Sequence, residues 1–148
     1  MKGFHQIAAV VALFTIAAFL LSSVAAELSG DPALIARVKK AIVYGLAILV
    51  VCMPLLVISG KKLAVSYPGH PLLDRKIRRM KQIGVNAVLF LIPLAFILEY
   101  LAGSTRIDLN FYAFQALEFV CGGLNLFWLS KMVADGRAFS REKVISGS

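Results

Sequence analysis

Four apolar runs, each long enough to cross a lipid bilayer, constrain this chain more than any other feature. They cover residues 7–26, 41–59, 83–101 and 109–130. A helix of about 20 apolar residues spans the hydrocarbon core and satisfies its own backbone polar groups there. The sequence therefore predicts an all-α fold. We expect a four-helix transmembrane bundle in which residues 1–148 form a single integral membrane domain.

The charge of the chain agrees with a membrane protein. Only 16% of the residues are charged, whereas soluble domains carry about 25%. The formal net charge is +8, but the basic residues lie beside the apolar runs. This placement favours contact with a membrane surface over contact with nucleic acid. The two cysteines, Cys52 and Cys121, fall inside apolar runs without metal-type spacing, and we interpret them as small buried hydrophobic residues.

The first run has two interpretations. A basic start at Lys2 and the small residues Val24-Ala25-Ala26 before Glu27 are typical of a secretory signal peptide. The run is twenty residues long, however, which exceeds the usual signal core and is enough to span. We expect it to be retained as the first span, and cleavage stays open.

Turn and helix-breaking residues divide the rest of the chain. Asp31 suits the N-cap position of a helix, and Pro32 suits the first helical position. The second helix is therefore expected to begin at Pro32, before its apolar part at 41. Pro54 and Pro93 lie inside the second and third spans, where we expect kinks. Residues 60–82 form a basic loop, and residues 135–148 are predicted to be a loose tail.

The basic loop is the strongest electrostatic feature of the sequence. Its second half is an amphipathic helix that leads into the third span. Each cation beside an anionic leaflet contributes about 1 kcal/mol, so the segment is expected to contact anionic phospholipids or an acidic partner. The residues expected to make these contacts are Arg75, Lys76, Arg78, Arg79 and Lys81.

The distribution of cations predicts the orientation. With four spans, both termini and the basic loop share one side, which holds twelve of the 16 lysines and arginines. The positive-inside rule then makes the N- and C-termini cytoplasmic. Arg37, Lys39 and Lys40 fall on the opposite side, where they are expected to snorkel toward the interface.

The fourth run contains the main candidate site. Glu118 lies about 15 Å inside it, near the bilayer centre. With Gln115, Gly122 and Asn125 it forms one helix face, the polar stripe. We expect this stripe to face the bundle interior or a partner helix. Glu118 is either a proton- or cation-binding carboxyl or a neutral acid that helps packing. No lysine or arginine is expected at a matching depth in another span.

Catalytic and cofactor motifs are not evident. The sequence contains no phosphate-binding glycine loop, nucleophile elbow, zinc-helix motif or paired carboxylates, so we expect a protein that is not an enzyme and has no metal or cofactor. His5 and His70 lie outside the spans, whereas axial haem ligands usually come from facing helices.

The C-terminal half contains, in order, HPLLDRKIRRMK, a following span and FYAFQALEFVCGGLNLFWLSKMVADG. This order of features resembles small four-span bacterial inner-membrane proteins, many of which have no assigned function. The stretch ALEFVCGG also resembles the acid-then-glycine helix of DoxX-like proteins. The resemblance implies a multi-pass protein of the bacterial inner (plasma) membrane.

Three functions follow as hypotheses. The first is a non-catalytic accessory subunit of a larger inner-membrane assembly, bound to other membrane subunits or to copies of itself. The second is a small proton- or cation-coupled transporter that uses Glu118. The third is a redox accessory protein that binds quinone or haem between its helices.

Overall fold

The computed structural model of the chain is all-α. It describes the backbone of residues 2–65, 71–104 and 107–146, and the side chains of residues 7–60, 62, 75–104 and 107–135. The elements in order are α1 (Lys2–Ser29), α2 (Pro32–Val65), α3 (Pro71–Asn86), a π-helical turn (Ala87–Leu91), α4 (Ile92–Gly103) and α5 (Leu109–Ser146).

Four helical segments are long and apolar enough to cross a membrane. They are Ile7–Ser29, Pro32–Gly60, Arg75–Gly103 and Leu109–Asp135. The expected all-α architecture with four such helices is therefore confirmed, and it indicates a multi-pass membrane protein. The fourth segment has the lowest mean hydropathy, 1.2 against 2.1 to 2.8 for the others, because it carries the polar stripe.

Two short connections join the helices at one end of the bundle, which we call the turn end. Gly30 adopts φ 66°, a conformation that glycine reaches without a Cβ penalty. Asp31 then accepts the Ala33 N–H at 2.9 Å and caps α2. At the start of α5, the Phe111 N–H donates to Asp108 at 3.1 Å. This hydrogen bond lowers the pKa of Asp108. The contribution of the cap to the stability of α5 is therefore fully present above the ordinary aspartate pKa, and it is lost as the pH falls through the lowered pKa.

The third candidate span contains a π-helical turn directly before Pro93. A proline in a helix has no N–H for the carbonyl four residues earlier, and its ring crowds that carbonyl. The chain widens here, and the Ile92 N–H donates to the Ala87 carbonyl five residues back. π-turns of this kind often lie at functional positions. Pro54 lies within α2, which continues on both sides of it.

The helices pack in a ring. α1 packs against α2 and α5, and α4 also packs against both α2 and α5. Buried apolar clusters lie at successive depths in this ring. The cluster at the turn end consists of Ala26, Ile35, Leu98, Ala102 and Phe111. The clusters farther from the turn end are Ile42, Leu46 and Ala95, then Ile16, Ile83 and Leu129, then Ala8, Ala12 and Leu56.

Two helices extend beyond their predicted ends. α2 begins at Pro32 after the Asp31 cap, as expected, but it continues to Val65 instead of ending near residue 59. α5 continues to Ser146 instead of ending in a loose tail. Its last residues include Arg, Ala, Glu and Lys, which are good helix formers. The predicted turn at 66–70, with His70, and the side chain of His5 lie outside the described residues.

Close packing of α1 against α2 generates a stability prediction. A Cβ on Gly45 would lie 2.6 Å from the Phe19 ring, which must then move. We expect Gly45→Ala to lower the free energy of unfolding by about 1–3 kcal/mol, the usual cost of overpacking. Reversible unfolding in mixed detergent micelles measures this loss.

Gly84→Ala is the matched control, because a Cβ there meets nothing within 4 Å. Removing a helical glycine without a clash is expected to stabilise by up to about 1 kcal/mol. Pairing Gly45→Ala with Phe19→Leu should restore part of the lost stability. Equal stability of the two single variants would contradict the predicted clash.

Candidate functional site

The polar stripe on α5 faces the interior of the bundle. Gln115 is 3% exposed, Glu118 9% and Asn125 0%, and Gly122 is also buried. Phe111 and Leu129 are buried on the same face, whereas neighbours such as Leu117 and Val120 are exposed. The stripe therefore packs against helices of its own chain.

Glu118 forms an ion pair with a lysine of another helix. The Lys39 Nζ on α2 lies 2.6 Å from Glu118 Oε2 and donates to the Ser23 hydroxyl on α1 at 2.7 Å. Ser23 in turn lies 3.3 Å from Glu118 Oε2, to which it donates. Lys39 is 1% exposed, so its ammonium is withdrawn from the surface. The ion pair and the Ser23 hydroxyl together thus join three helices.

The expectation that Glu118 has no counter-ion at its depth is wrong. That expectation placed the second span at the apolar run from 41 and left Lys39 outside it. Because α2 begins at Pro32, Lys39 lies seven residues inside the helix, about 10 Å from its start. Glu118 is nine residues, about 14 Å, from the start of α5 at the same end.

The Asp31-Pro32 start signal could have identified this pairing. Lys39 also does not snorkel as expected. Its neighbours Arg37 and Lys40 remain exposed, because successive residues of a helix lie about 100° apart. The three adjacent cations therefore have different environments, and only the inward one pairs with Glu118.

Two more polar side chains complete the site, which we call the ion-pair cluster: Ser23, Glu27, Lys39, Gln115 and Glu118. The Gln115 Nε2 donates to Glu118 Oε2 at 2.8 Å. Glu27 interacts electrostatically with both Lys39 and Glu118. Two buried acceptors of the cluster, Gln115 Oε1 and Glu27 Oε1, have no hydrogen-bond donor. Glu27 and Ser23 were not among the residues predicted from the sequence.

Apolar layers lie on both sides of the Lys39–Glu118 pair along the bundle. Ile35 and Phe111, one helical turn from Lys39 and Gln115, belong to the apolar cluster at the turn end. Ile42 and Ala95 lie in the next layer on the other side. In such surroundings an unpaired charge costs several kcal/mol, whereas a paired and hydrogen-bonded one is tolerated. The arrangement can hold three helices in register, and its carboxyls can bind a proton.

A second polar contact lies deeper on the stripe. The Asn86 Nδ2 on α3 donates to Asn125 Oδ1 at 2.9 Å and to the Cys121 carbonyl at 2.8 Å. Asn125 Nδ2 is buried without an acceptor. Gly122 contacts a side chain of α1, because a Cβ there would lie 3.4 Å from Leu20, while a Cβ on Gly123 would meet open space.

The predicted basic residues of α3 separate into two groups. Arg79 pairs with Asp135 of α5, and the half-buried Lys76 interacts electrostatically with the same carboxylate. Arg75, Arg78 and Lys81 are exposed, and we call these three residues the basic face. The ion pair to Asp135 therefore holds α3 against α5 and leaves three cations outside.

Sites for other ligands are limited among the described side chains. No group of three His, Cys, Asp or Glu that could hold a metal is found there, and both cysteines are free. A groove of about 250 Å³ between α1 and α2 is lined by Ala18, Phe19, Ser22, Val38, Ala41 and Ile42. The Ser22 hydroxyl in this groove donates to the Phe19 carbonyl of its own helix.

The geometry thus defines a helical protein of the multi-pass class with a buried ion-pair cluster. Comparison with protein-family models, with curated proteins and with solved structures gives no significant match. The resemblance to DoxX-like proteins therefore stays a prediction.

The buried ion pair leads to a prediction about stability. Lys39→Met leaves the Glu118 carboxylate without its counter-ion, and removing one partner of a buried pair typically costs about 3–5 kcal/mol. Replacing both, in Lys39→Met with Glu118→Leu, removes both charges and should recover most of that loss. Unfolding in mixed detergent micelles measures all three proteins.

Arg37→Met is the matched control, because Arg37 is exposed on the same helix. It is expected to change the free energy of unfolding by less than about 0.5 kcal/mol. If Lys39→Met behaved like Arg37→Met, the ion pair would not contribute to the stability of the bundle.

Proposed function

We propose that this chain is a non-catalytic accessory subunit of a larger inner-membrane assembly, with its basic face at the cytoplasmic leaflet. The termini share that side, following the positive-inside distribution of its cations. The ion-pair cluster holds its own helices together, the outer apolar surface contacts lipid and partner subunits, and the basic face binds anionic phospholipid headgroups.

The observation that carries this proposal is the internal use of the polar stripe. Glu118 accepts hydrogen bonds from Gln115 and Lys39, and Asn125 accepts a hydrogen bond from Asn86. Groups engaged in this way specify how helices pack and offer little chemistry to a substrate. Contacts with a partner must then come from outer surfaces, where large apolar side chains such as Phe14, Tyr44 and Tyr112 are exposed.

The role proposed for the basic face depends on the Arg79–Asp135 pair. That pair positions α3 beside α5 so that Arg75, Arg78 and Lys81 stay exposed at the end opposite the turn end. Three cations near an anionic leaflet together contribute about 3 kcal/mol of membrane attraction. This attraction also favours keeping that end of the bundle at the cytoplasmic surface.

Purification from the native host in a gentle detergent, followed by mass spectrometry, tests the proposal. We expect a defined set of membrane proteins in stoichiometric amounts, together with anionic phospholipid. A fluorescent protein fused after Ser148, of a type that matures only in the cytoplasm, should fluoresce. A chain that purifies without any protein partner at native expression would contradict the accessory role.

A matched pair of variants tests the basic face within the same experiment. Changing Arg75, Arg78 and Lys81 to glutamate should remove most of the bound anionic lipid. Exchanging the same residues for the other cation, Arg to Lys and Lys to Arg, should retain it, because the charge is unchanged. Equal lipid retention by both triple variants would show that the basic face does not bind headgroups.

A proton- or cation-coupled transporter is the second candidate, and the ion-pair cluster is the observation that favours it. Ionisable groups inside spanning helices commonly mark ion pathways, and Glu27, Lys39 and Glu118 interact with one another. Coupling would require the Lys39–Glu118 pair to open, not an unpaired Glu118 to bind the ion alone.

Proteoliposomes that contain a pH-sensitive dye test this second function. An imposed ion gradient should drive proton movement in the native protein, and Glu118→Gln should abolish it. Glu99→Gln, on α4 and outside the ion-pair cluster, is the control and should leave the rate unchanged. Proton movement that is equal in Glu118→Gln and the native protein would exclude coupling through Glu118.

A further inference from the structure

The ion-pair cluster has too few hydrogen-bond donors for its acceptors and too few cations for its carboxyls. Two carboxyls, of Glu27 and Glu118, interact electrostatically with one ammonium, of Lys39, and only Glu118 forms an ion pair with it. If all three are ionised, the cluster has one negative charge in excess. Two of its buried oxygens, Glu27 Oε1 and Gln115 Oε1, also have no donor. One additional hydrogen-bond donor with a positive charge would correct both deficits.

The two oxygens without a donor belong to residues at the same depth. Ser23 and Glu118 lie at one level, since the Ser23 hydroxyl is 3.3 Å from Glu118 Oε2. Glu27 is four residues from Ser23 toward the turn end, about 6 Å along α1. Gln115 is three residues from Glu118 toward the same end, about 4.5 Å along α5. Glu27 and Gln115 therefore lie on the same side of the ion pair.

The orientation of the Gln115 amide is determined by its neighbour. Its Nε2 donates to Glu118 Oε2 at 2.8 Å, and the opposite orientation would place the amide oxygen against a carboxylate. The Oε1 is therefore the atom that remains without a donor. Because Gln115 is 3% exposed, bulk water does not supply that donor freely.

The two carboxyls of the cluster differ in their donors. Glu118 Oε2 accepts hydrogen bonds from Lys39, Gln115 and Ser23, and three donors stabilise the ionised form. Glu27 Oε1 accepts none. The added proton is therefore assigned to Glu27, whose Oε1 has no donor. A divalent metal ion is less suitable, because such ions require about six oxygen ligands.

We propose that Glu27 is a proton-binding site, in which one proton held on the Glu27 carboxyl is donated in a hydrogen bond to Gln115 Oε1. The Glu27 carboxylate takes up the proton and becomes a neutral acid, while Lys39 and Glu118 stay ionised as a pair. The cluster is then electrically neutral, and both acceptors are satisfied. This inference goes beyond the accessory role and does not require transport.

Infrared difference spectroscopy of the purified full chain near neutral pH tests the proposal. The native protein should show the C=O stretching band of a protonated carboxylic acid. Glu27→Gln should lose that band and remain folded, because its amide can donate to Gln115 Oε1 as the acid does. Glu99→Gln is the matched control and should retain the band.

Gln115→Leu tests the acceptor. The band should persist but shift to higher frequency, because the carboxylic acid loses its hydrogen-bond partner. A band that disappears in Glu118→Gln but remains in Glu27→Gln would overturn the assignment, as would the lack of a band in the native protein. Specific thermal stabilisation by sodium or ammonium over choline, lost in Glu27→Gln, would overturn it in favour of a cation.

Discussion

The Lys39–Glu118 ion pair is the interaction on which the arrangement of the helices depends. It joins α2 to α5 directly and α1 through Ser23, at one depth of a bundle whose other contacts are largely apolar. Apolar contacts are tolerant of sliding and rotation, whereas a buried ion pair tolerates neither, because a separated charge costs several kcal/mol. We therefore expect the pair to contribute specificity of helix register more than net stability.

The rest of the structure follows from that register. With α5 rotated so that Glu118 meets Lys39, Asn125 also faces inward and meets Asn86, and Asp135 meets Arg79. Three polar contacts thus occur along α5 from the turn end to the opposite end, separated by apolar layers. The π-helical turn comes directly after Asn86 and ends just before Pro93, so the irregular part of the third span lies next to the middle contact.

Much of the architecture was predictable. Apolar runs define four helices because a backbone in an apolar medium must satisfy its own hydrogen bonds, and the 3,4 spacing of Gln115, Glu118, Gly122 and Asn125 predicted a single face. The counter-ion was not predicted, because hydropathy treats a lysine as the limit of a span. Glu27 and Ser23 were missed for a related reason: each is unremarkable in its own helix, and only the packing of α1 against α2 and α5 gives them partners.

The sequence by itself determined the four apolar helices, the Asp31 cap that starts α2 and the polar face of α5, since each depends on local spacing or on the length of an apolar run. Only the tertiary structure decided which charges meet. Lys39 and Arg37 are two residues apart on the same helix, yet one is buried against Glu118 and the other is exposed. The difference comes from the rotation of α2 about its axis, which depends on contacts between residues far apart in the chain.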